Sequence, residues 1–345
     1  MQLKDNLNLL SKFTLKRFGN ALSVITGYYI SKVSGNALQL GLPLSISIEP
    51  TTSCNLRCPE CPSGKREFTR PTGMLSQAFF KEMIDSVHKR VTYLTFYFQG
   101  EPYLNPDFLT MVSYASQKKM YCSTSTNAHY LDEENARKTV ESGLDRLIIS
   151  IDGTTQESYS NYRIGGELNK VIEGTRNILR WKKKLNSKTP HVIFQFLVVK
   201  ANEHQIEDVK RLAKELGVNE LRLKTAQVYD YKHGNPLLPE NQRYSRYRKE
   251  PDGNYTIKNN LNNHCWRLWS AAVITWDGLV VPCCFDKDAR HQMGDLKKSG
   301  FEQVWKNAGY RNFRSSVLRS RKEIGICSNC SEGTRVTFPQ ASTAT

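Results

Sequence analysis

Three cysteines stand close together in one short segment, at Cys54, Cys58 and Cys61. Their spacing brings three thiols into one small loop, and thiolates are the usual ligands of iron–sulfur clusters. A 4Fe–4S cluster has four irons to satisfy, so three local cysteines leave one iron open. The segment therefore predicts a cluster that can bind a further molecule.

Two other interpretations of this segment remain open from its spacing alone. The thiols could hold a structural zinc ion together with a fourth ligand from elsewhere in the chain. Alternatively, Cys58 and Cys61 could form a redox pair of the Cys-x-x-Cys type. Cys54 would then have no function in the pair.

A second group of cysteines lies in the C-terminal part of the chain, at Cys265, Cys283, Cys284, Cys327 and Cys330. Two separated cysteines and the closing Cys-x-x-Cys pair supply four thiolates, which leave no open position. Zinc and a second 4Fe–4S cluster both fit such a site, and spacing does not decide between them. Cys122, alone inside a predicted strand, is expected to be a small buried apolar residue.

The chain of 345 residues carries a formal net charge of +16. Its Lys and Arg residues are scattered rather than gathered in one block with aromatic residues, so we expect a generally basic surface and no nucleic-acid partner. The same charge suits the docking of an acidic electron donor such as a flavodoxin or a ferredoxin, because opposite charges raise the encounter rate.

The sequence shows neither a secretory signal peptide nor a membrane span. Residues 1–8 are polar, and the apolar run at residues 21–30 is interrupted by Ser, Thr and Gly and contains two Tyr. That run falls well short of the ~20 residues that cross a bilayer. We therefore expect a cytoplasmic protein without a transmembrane segment, whose thiols are bound to metal rather than oxidised.

From Leu44 onward, strand patterns and helix patterns alternate. The predicted strands are Leu44–Glu49, Val91–Phe98, Tyr121–Ser125, Arg146–Ile151, Val192–Val199 and Glu220–Lys224. The predicted helices between them are Ser76–Lys89, Pro106–Lys118, Asp132–Ser142, Leu168–Lys184 and Glu203–Leu216. This alternation predicts an α/β fold with a parallel sheet, and six units indicate a partial, open (β/α)6 TIM-like barrel.

Polar residues follow the predicted strands, where the ligands of such sheets collect. Gly100-Glu101-Pro102 follows the second strand, Asn127 the third, and Ser150-Ile151-Asp152-Gly153 the fourth. Together with the three-cysteine loop, this pattern resembles the core of the radical S-adenosylmethionine (radical SAM) enzyme superfamily. The resemblance implies that the three cysteines hold a 4Fe–4S cluster, whose open iron binds SAM. It also implies reductive cleavage of SAM to a 5'-deoxyadenosyl radical, which abstracts hydrogen from a substrate.

Carried over by motif, the resemblance assigns contacts with SAM to particular residues. Gly100 and Glu101 would receive its amino group, since a backbone approaches closely at a glycine and an ammonium needs an acceptor. The residues expected to face its ribose or methionine part are Asn127, Ser150 and Asp152. Arg163 is expected to pair with its carboxylate. For these last four, strand-end capping or an ordinary ion pair is the alternative.

One position departs from the family pattern. Glu60 precedes the third cysteine, where the family often has an aromatic residue that stacks on the adenine. We therefore expect adenine packing to come from elsewhere, for example from the strand that ends in Phe196-Leu197-Val198.

The C-terminal segment resembles the SPASM domain, or its shortened twitch form, which is appended to many radical SAM enzymes. The resemblance rests on Cys265-Trp266, Gly294, Trp305, the closing cysteine pair and a predicted hairpin with Trp276-Asp277-Gly278 at its turn. The fuller form binds two clusters with more cysteines than this segment has, so one auxiliary 4Fe–4S cluster is expected. By similarity to the single-cluster aminocyclitol dehydrogenase of butirosin biosynthesis, its ligands would be Cys265, Cys283, Cys327 and Cys330. Cys284 would then pack beside it.

The expected organisation is a helical extension (1–43), a radical SAM core (44–226), a turn-rich linker (227–263) and a cysteine-rich auxiliary-cluster domain (264–345). The extension is expected to pack on the body of the protein. In the linker, His233 and Arg248 are solvated residues or substrate contacts.

We expect a two-electron oxidation of a small-molecule or peptide substrate, with the auxiliary cluster as electron acceptor. Residues 1–43 are too short and strand-poor for a winged-helix leader-binding domain, which favours a small molecule or a protein without a leader. The alternatives are a peptide- or protein-modifying maturase and, more remotely, a non-catalytic zinc-binding scaffold.

Overall fold

In a computed structural model, residues 2–331 are described, and their strands and helices alternate as predicted. The strands are β1 (Ser45–Ile48), β2 (Tyr93–Phe96), β3 (Tyr121–Thr126), β4 (Arg146–Ser150), β5 (His191–Val198), β6 (Glu220–Thr225), β7 (Tyr247–Lys249), β8 (Tyr255–Ile257), β9 (Ala271–Ile274), β10 (Leu279–Val281) and β11 (Gly294–Asp295). The helices are α1 (Gln2–Ser11), α2 (Leu15–Ser34), α3 (Pro62–Lys65), α4 (Gln77–Val87), α5 (Phe108–Gln117), α6 (Glu133–Glu141), α7 (Gln156–Tyr162), α8 (Leu168–Lys184), α9 (Ile206–Leu216), α10 (Arg267–Ser270), α11 (Phe301–Lys306) and α12 (Ala308–Ser320).

Strands β1 to β6 form a parallel sheet in sequence order, with helices in every connection between them. One face of the sheet is apolar: Ile46, Leu94 and Phe96 are fully buried and pack in the main core with helix residues such as Phe80 and Val112. This burial drives the helices onto the outside of the sheet. The arrangement confirms the predicted partial (β/α)6 barrel.

The inner face of the sheet carries smaller and more polar side chains. Ser47 of β1 lies beside Thr95 of β2, and both point away from the helices. They line a cavity of about 600 Å³ whose wall also includes Cys283 and Cys284 of the C-terminal region. The barrel therefore encloses space for a ligand rather than a solid apolar core.

The C-terminal hairpin extends the same sheet. Strand β9 pairs in parallel with β1, and β10 and β11 follow it as antiparallel neighbours. Within residues 2–331 the order is β11-β10-β9-β1-β2-β3-β4-β5-β6. The sequence predicted the hairpin from its local Asp-Gly turn, which carries no information about the strand with which the hairpin pairs. As a result, β1 is an internal strand, and the loop after it lies between β2 and the hairpin.

Helices α1 and α2 pack across the end of the barrel where the strands begin. The buried guanidinium of Arg17 donates to the carbonyl oxygens of His88 and Lys119, in the loops that lead into β2 and β3. The buried carboxylate of Asp5 accepts a hydrogen bond from the hydroxyl of Tyr121, at the start of β3. The N-terminal segment thus covers the end opposite to the loops that follow the strands.

A buried ion pair joins the end of β1 to the chain beyond the three-cysteine loop. Arg70 donates to both carboxylate oxygens of Glu49, at 2.8 and 2.6 Å, and its Nε donates to the carbonyl of Lys287 at 3.0 Å. The backbone nitrogen of Trp276, in the hairpin turn, donates to Glu49 as well. The pair therefore fixes the cysteine loop against the C-terminal hairpin.

We expect Arg70→Met to lower the free energy of unfolding by about 3–5 kcal/mol, because it leaves the buried carboxylate of Glu49 without its cation. Urea denaturation followed by circular dichroism measures this. In the exposed pair of Arg137 and Glu141, the matched change Arg137→Met should cost under about 1 kcal/mol. Equal effects of the two changes would show that the buried pair is not important for stability.

Candidate functional site

The three-cysteine loop follows β1 directly. Cys58 is buried, whereas Cys54 and Cys61 are partly exposed. The backbone nitrogen of Leu56 donates to the sulfur of Cys54 at 3.4 Å. Gly64, in the helix that begins after Cys61, comes so close that a β-carbon there would lie 2.6 Å from the nitrogen of Cys58. The loop is thus tightly folded around its thiols.

The three thiols are mutual neighbours. Burial raises the pKa of Cys54 to about 12, and Glu101, Cys58 and Cys61 act in the same direction. Burial also raises the pKa of Cys58, where the guanidinium of Arg163 opposes it. Without a metal, the thiols of Cys54 and Cys58 keep their protons at neutral pH, so the binding of a cluster must release them.

The loop after β2 packs closely against the cysteine loop and is hydrogen-bonded to it. Gly100 has a φ of 73°, and a β-carbon on it would lie only 2.1 Å from the carbonyl oxygen of Thr51. Its backbone nitrogen donates to the hydroxyl of Ser63, and that of Glu101 donates to the carbonyl of Ser53. Only glycine fits this position, because the φ and the close approach both exclude a side chain.

The carboxylate of Glu101 is buried and almost fully hydrogen-bonded. One oxygen accepts from the hydroxyl of Thr126 at 2.6 Å and from the nitrogen of Tyr103 at 3.4 Å; the other accepts from the nitrogen of Asn127 at 2.8 Å. Burial raises its pKa to about 7 in spite of these donors. A carboxylate has about four acceptor sites, so one remains for a further donor. No local motif marks Thr126 as part of this site.

Asn127 connects the end of β3 to the cysteine loop. Its side-chain nitrogen donates to the side-chain oxygen of Asn55 at 2.7 Å and lies 3.9 Å from the sulfur of Cys54. The structure therefore places this predicted residue beside the predicted cluster ligands.

The loop after β4 contains a partly buried ion pair. Asp152, which is fully buried, accepts from Nε of Arg163 at 2.5 Å and from the nitrogen of Leu197 at 2.7 Å. A terminal nitrogen of Arg163 in turn lies 3.7 Å from the sulfur of Cys58. Asp152 thus holds the guanidinium over the cysteine loop. Ser150 is buried at the same end of β4, and its contact with SAM stays a prediction.

Glu60 has a partner outside the loop, since its carboxylate accepts a hydrogen bond at 3.0 Å from the backbone nitrogen of Tyr229. In the strand predicted to pack on adenine, Phe196 and Val198 belong to the main core on the helix side. Leu197 instead packs in a small cluster with Cys58. Leu197 is therefore the residue of this strand that faces the candidate site.

The structure also brings the C-terminal cysteines together. Burial raises the pKa of Cys283 well above its usual value, and Cys284, Cys327 and Cys265 raise it further. Burial raises the pKa of Cys327 to about 11, and Cys330 and Cys265 add to this effect. The four predicted auxiliary ligands are thus neighbours, and Cys284 lies beside them.

Arg321 is a buried residue of this second group that sequence reasoning missed. One of its terminal nitrogens lies 3.3 Å from the sulfur of Cys330, and the other donates to the carbonyl of His264 at 3.0 Å. The sequence offers no signal for it, because no local pattern shows that its side chain turns toward both Cys330 and the distant His264. Its charge offsets that of nearby thiolates.

Residues 227–263 pack against the closing cysteine pair. The hydroxyl of Tyr247 donates to the side chain of Asn329 at 2.8 Å, and the side chain of Asn259 donates to the carbonyl of Cys330 at 2.8 Å. Arg248 forms an ion pair with Glu250 near the surface, so a role in substrate binding stays a prediction.

Tyr97 lies between the two cysteine groups. Its side chain is 47% exposed, but the surrounding protein still removes part of its hydration and raises the pKa of its hydroxyl, and Cys61 of the first group and Cys284 of the second act in the same direction. Strand alternation places its side chain on the same face as Thr95, toward the interior of the barrel. The sequence signal for Tyr97 was only its position next to the loop that carries Gly100.

The donor types of both groups fit iron–sulfur clusters. Three thiols in one loop, with an acceptor site of Glu101 and the cation of Arg163 beside them, suit a cluster that binds a zwitterionic ligand. In the part of the chain that the structure describes, no three His, Cys, Asp or Glu side chains already stand in metal-ligand geometry. The assignment of individual ligands therefore rests on loop proximity and donor type.

Comparison with known families agrees with this chemistry. Residues 48–213 match the Radical SAM superfamily, and residues 265–331 match SPASM, an iron–sulfur cluster-binding domain. The chain belongs to the radical SAM superfamily and carries a SPASM domain. It is therefore an enzyme, and the predicted cofactors, 4Fe–4S clusters and SAM, are confirmed. This membership disfavours the alternative function of a non-catalytic zinc-binding scaffold.

Two relatives share most of their length with this chain. Mycofactocin maturase MftC of Mycobacterium ulcerans is 27% identical over 314 residues, covering 84% of this chain and 81% of MftC. The tungsten-containing aldehyde ferredoxin oxidoreductase cofactor-modifying protein of Pyrococcus furiosus is 24% identical over 311 residues, covering 82% of this chain and 86% of that protein.

Solved structures share the fold. SuiB of Streptococcus suis bound to S-adenosylmethionine aligns with a TM-score of 0.63 and 14% identity, over 86% of this chain and 74% of SuiB. BtrN in complex with AdoMet and 2-DOIA aligns with a TM-score of 0.53 and 17% identity, over 86% of this chain and 96% of BtrN.

Within residues 2–331, no helix combines the length and the apolar character that a transmembrane helix requires.

The pKa of Glu101 predicts a pH dependence of SAM binding. Below about pH 7 the carboxyl of the free protein gains a proton and loses its attraction for an amino group, so the Kd for SAM should rise by up to about tenfold per pH unit. Anaerobic titration of SAM at pH 6 to 8 measures this. Glu101→Gln should bind SAM more weakly and with a shallower pH dependence. An unchanged pH profile in that variant would exclude Glu101 as the titrating group.

Proposed function

We propose that this chain binds a 4Fe–4S cluster through Cys54, Cys58 and Cys61 and binds SAM beside it. The observation that carries the proposal is the convergence on the cysteine loop of three further loops, which follow β2, β3 and β4. A reduced cluster held there would supply the electron that cleaves SAM to methionine and a 5'-deoxyadenosyl radical, the species that takes a hydrogen atom from the substrate.

The residues around the cysteine loop bind and orient SAM. Gly100 lets the backbone approach the ligand, and the free acceptor site of Glu101 receives the amino group. Arg163, held in place by Asp152, pairs with the SAM carboxylate, as guanidinium groups do with such partners. The ribose and methionine part are contacted by Asn127 and Ser150, with Asp152 behind them.

Cys265, Cys283, Cys327 and Cys330 hold an auxiliary 4Fe–4S cluster. Four thiolates would leave no position for substrate, so the cluster would supply an acceptor of one electron. The substrate would lose its first electron with the hydrogen atom taken by the 5'-deoxyadenosyl radical; the resulting radical would then lose a proton to solvent or a nearby base and its second electron to the auxiliary cluster. Support comes from the inner cavity of about 600 Å³, because Cys283 and Cys284 lie in its wall. A substrate in that cavity would lie beside Cys283 and Cys284 of the auxiliary group.

A second candidate function is that of a peptide- or protein-modifying maturase. It is favoured by the similarity to MftC, a maturase by name, over most of both chains. The solved structure of SuiB with its precursor peptide SuiA shows the same fold with a peptide, whereas BtrN was solved with 2-DOIA. The cavity volume suits either a small molecule or one side chain of a peptide.

The proposal includes a cytoplasmic location and an acidic electron donor of the flavodoxin or ferredoxin type. The net charge of +16 supports such a donor, because complementary charge accelerates encounter and makes the rate fall with salt.

The central experiment is anaerobic incubation of the reconstituted enzyme with SAM and dithionite. We expect 5'-deoxyadenosine and methionine in chromatography, and we expect Cys58→Ala to abolish both, because the cluster loses a ligand. Cys122→Ala is the matched control, since Cys122 is fully buried away from both groups and should leave the yield unchanged. No 5'-deoxyadenosine from enzyme with full iron content would refute the proposal.

The role of the auxiliary group is tested with Cys327→Ala combined with Cys330→Ala. We expect this variant to cleave SAM but to lose formation of the oxidised product. If product formation also persisted, the auxiliary group would not be the electron acceptor.

A further inference from the structure

The outward face of the N-terminal helices is apolar. On α2, Leu15, Phe18, Leu22, Ile25 and Val33 recur at helical spacing along one side. All five are exposed, Leu15 to 92% and Val33 to 88%. Helix α1 adds Leu3, Leu7 and Leu10. We call this set of eight side chains the apolar stripe.

The face of α2 that packs on the barrel is more polar than the stripe. Its buried side chains are Arg17, Asn20, Ala21, Val24, Gly27, Tyr28 and Ser31. Asn20 bonds the backbone of Leu42, and Ser31 bonds that of Leu38. An ordinary surface helix has the reverse arrangement, with its apolar side toward the core. Packing against the barrel therefore does not account for the stripe.

The stripe is also unusual within this protein. Large apolar side chains exposed elsewhere in the described residues, such as Met74, Ile164 and Leu185, lie far apart in the chain. Single exposed apolar residues are normal on any protein surface, whereas a contiguous apolar patch marks an interaction site.

The charge around the stripe is positive. Lys4, Lys16 and Lys32 are exposed. The one carboxylate of residues 2–43, that of Asp5, is buried and paired with Arg146. At 100° per residue, Lys16 and Lys32 lie on the two borders between the stripe and the buried face of α2. The stripe is therefore flanked by cations, with no exposed anion on either helix.

We propose that α1 and α2 bind the enzyme to the surface of a bilayer that contains anionic lipids. The helices lie in the interface, with the stripe among the acyl chains and the lysines at the headgroups. Charge favours this partner over a second copy of the chain, since two copies would bring lysines together. The three-cysteine loop and the loops after β2, β3 and β4 lie at the opposite end of the barrel, so they stay accessible on the bound enzyme. The proposal does not depend on the function proposed above.

The test is sedimentation of the holoenzyme with vesicles. We expect binding to vesicles of phosphatidylcholine with phosphatidylglycerol and much weaker binding to phosphatidylcholine alone. Phe18→Gln, Leu22→Gln, Ile25→Gln and Val33→Gln, combined, should weaken binding to the anionic vesicles roughly a hundredfold. Lys16→Gln with Lys32→Gln should weaken it about fivefold for each lysine, and only on anionic vesicles.

The matched control is Met74→Gln with Leu185→Gln, which changes two side chains of 45% and 41% exposure outside the stripe and should bind like the wild type. Circular dichroism and cluster absorbance verify that each variant is folded. Failure of the wild type to bind anionic vesicles would overturn the proposal, as would undiminished binding by the stripe variant. A wild-type dimer that the stripe variant converts to monomer, without vesicle binding by either, would identify a second copy as the partner and also overturn it.

Discussion

The buried pair of Glu49 and Arg70 is the interaction on which the arrangement of the site depends. Glu49 ends the strand that leads into the three-cysteine loop, and Arg70 lies on the chain that returns from it. Both also contact the C-terminal region, through Trp276 and Lys287. Because removal of either partner leaves a buried charge uncompensated, the pair fixes the position of one cysteine group relative to the other.

Each cysteine group has its own arginine, partly buried at Arg163 and buried at Arg321. Arg163 lies over Cys58 and is held by Asp152, whereas Arg321 lies beside Cys330 and is held by the carbonyl of His264. Thiolates and clusters in a protein interior carry negative charge that burial disfavours. A fixed guanidinium offsets part of that cost and also tunes the reduction potential of a bound cluster. In each cysteine group, an arginine side chain thus offsets the negative charge of the thiolates.

Much of the fold was predictable because strands and helices alternate with clear apolar patterns, and the six parallel strands appear where expected. The site residues in the loops after β2, β3 and β4 were predictable from their positions, because the carboxyl ends of parallel strands lie at one edge of the sheet. The pairing of β9 with β1 was not predictable, because the Asp-Gly turn indicates only that β9 and β10 pair with each other. Arg321, Thr126 and Tyr97 were also missed, since their roles arise from contacts between distant segments. The amphipathic pattern of α2 was visible in the sequence, but which face packs on the barrel was not.

The central claim is that the cluster at Cys54, Cys58 and Cys61 keeps one iron open and that SAM binds there. Electron paramagnetic resonance of the dithionite-reduced Cys327→Ala, Cys330→Ala variant tests it most directly, because the auxiliary cluster is removed. We expect the spectrum of one reduced 4Fe–4S cluster, whose g values shift when SAM is added. A spectrum that SAM leaves unchanged would contradict the claim.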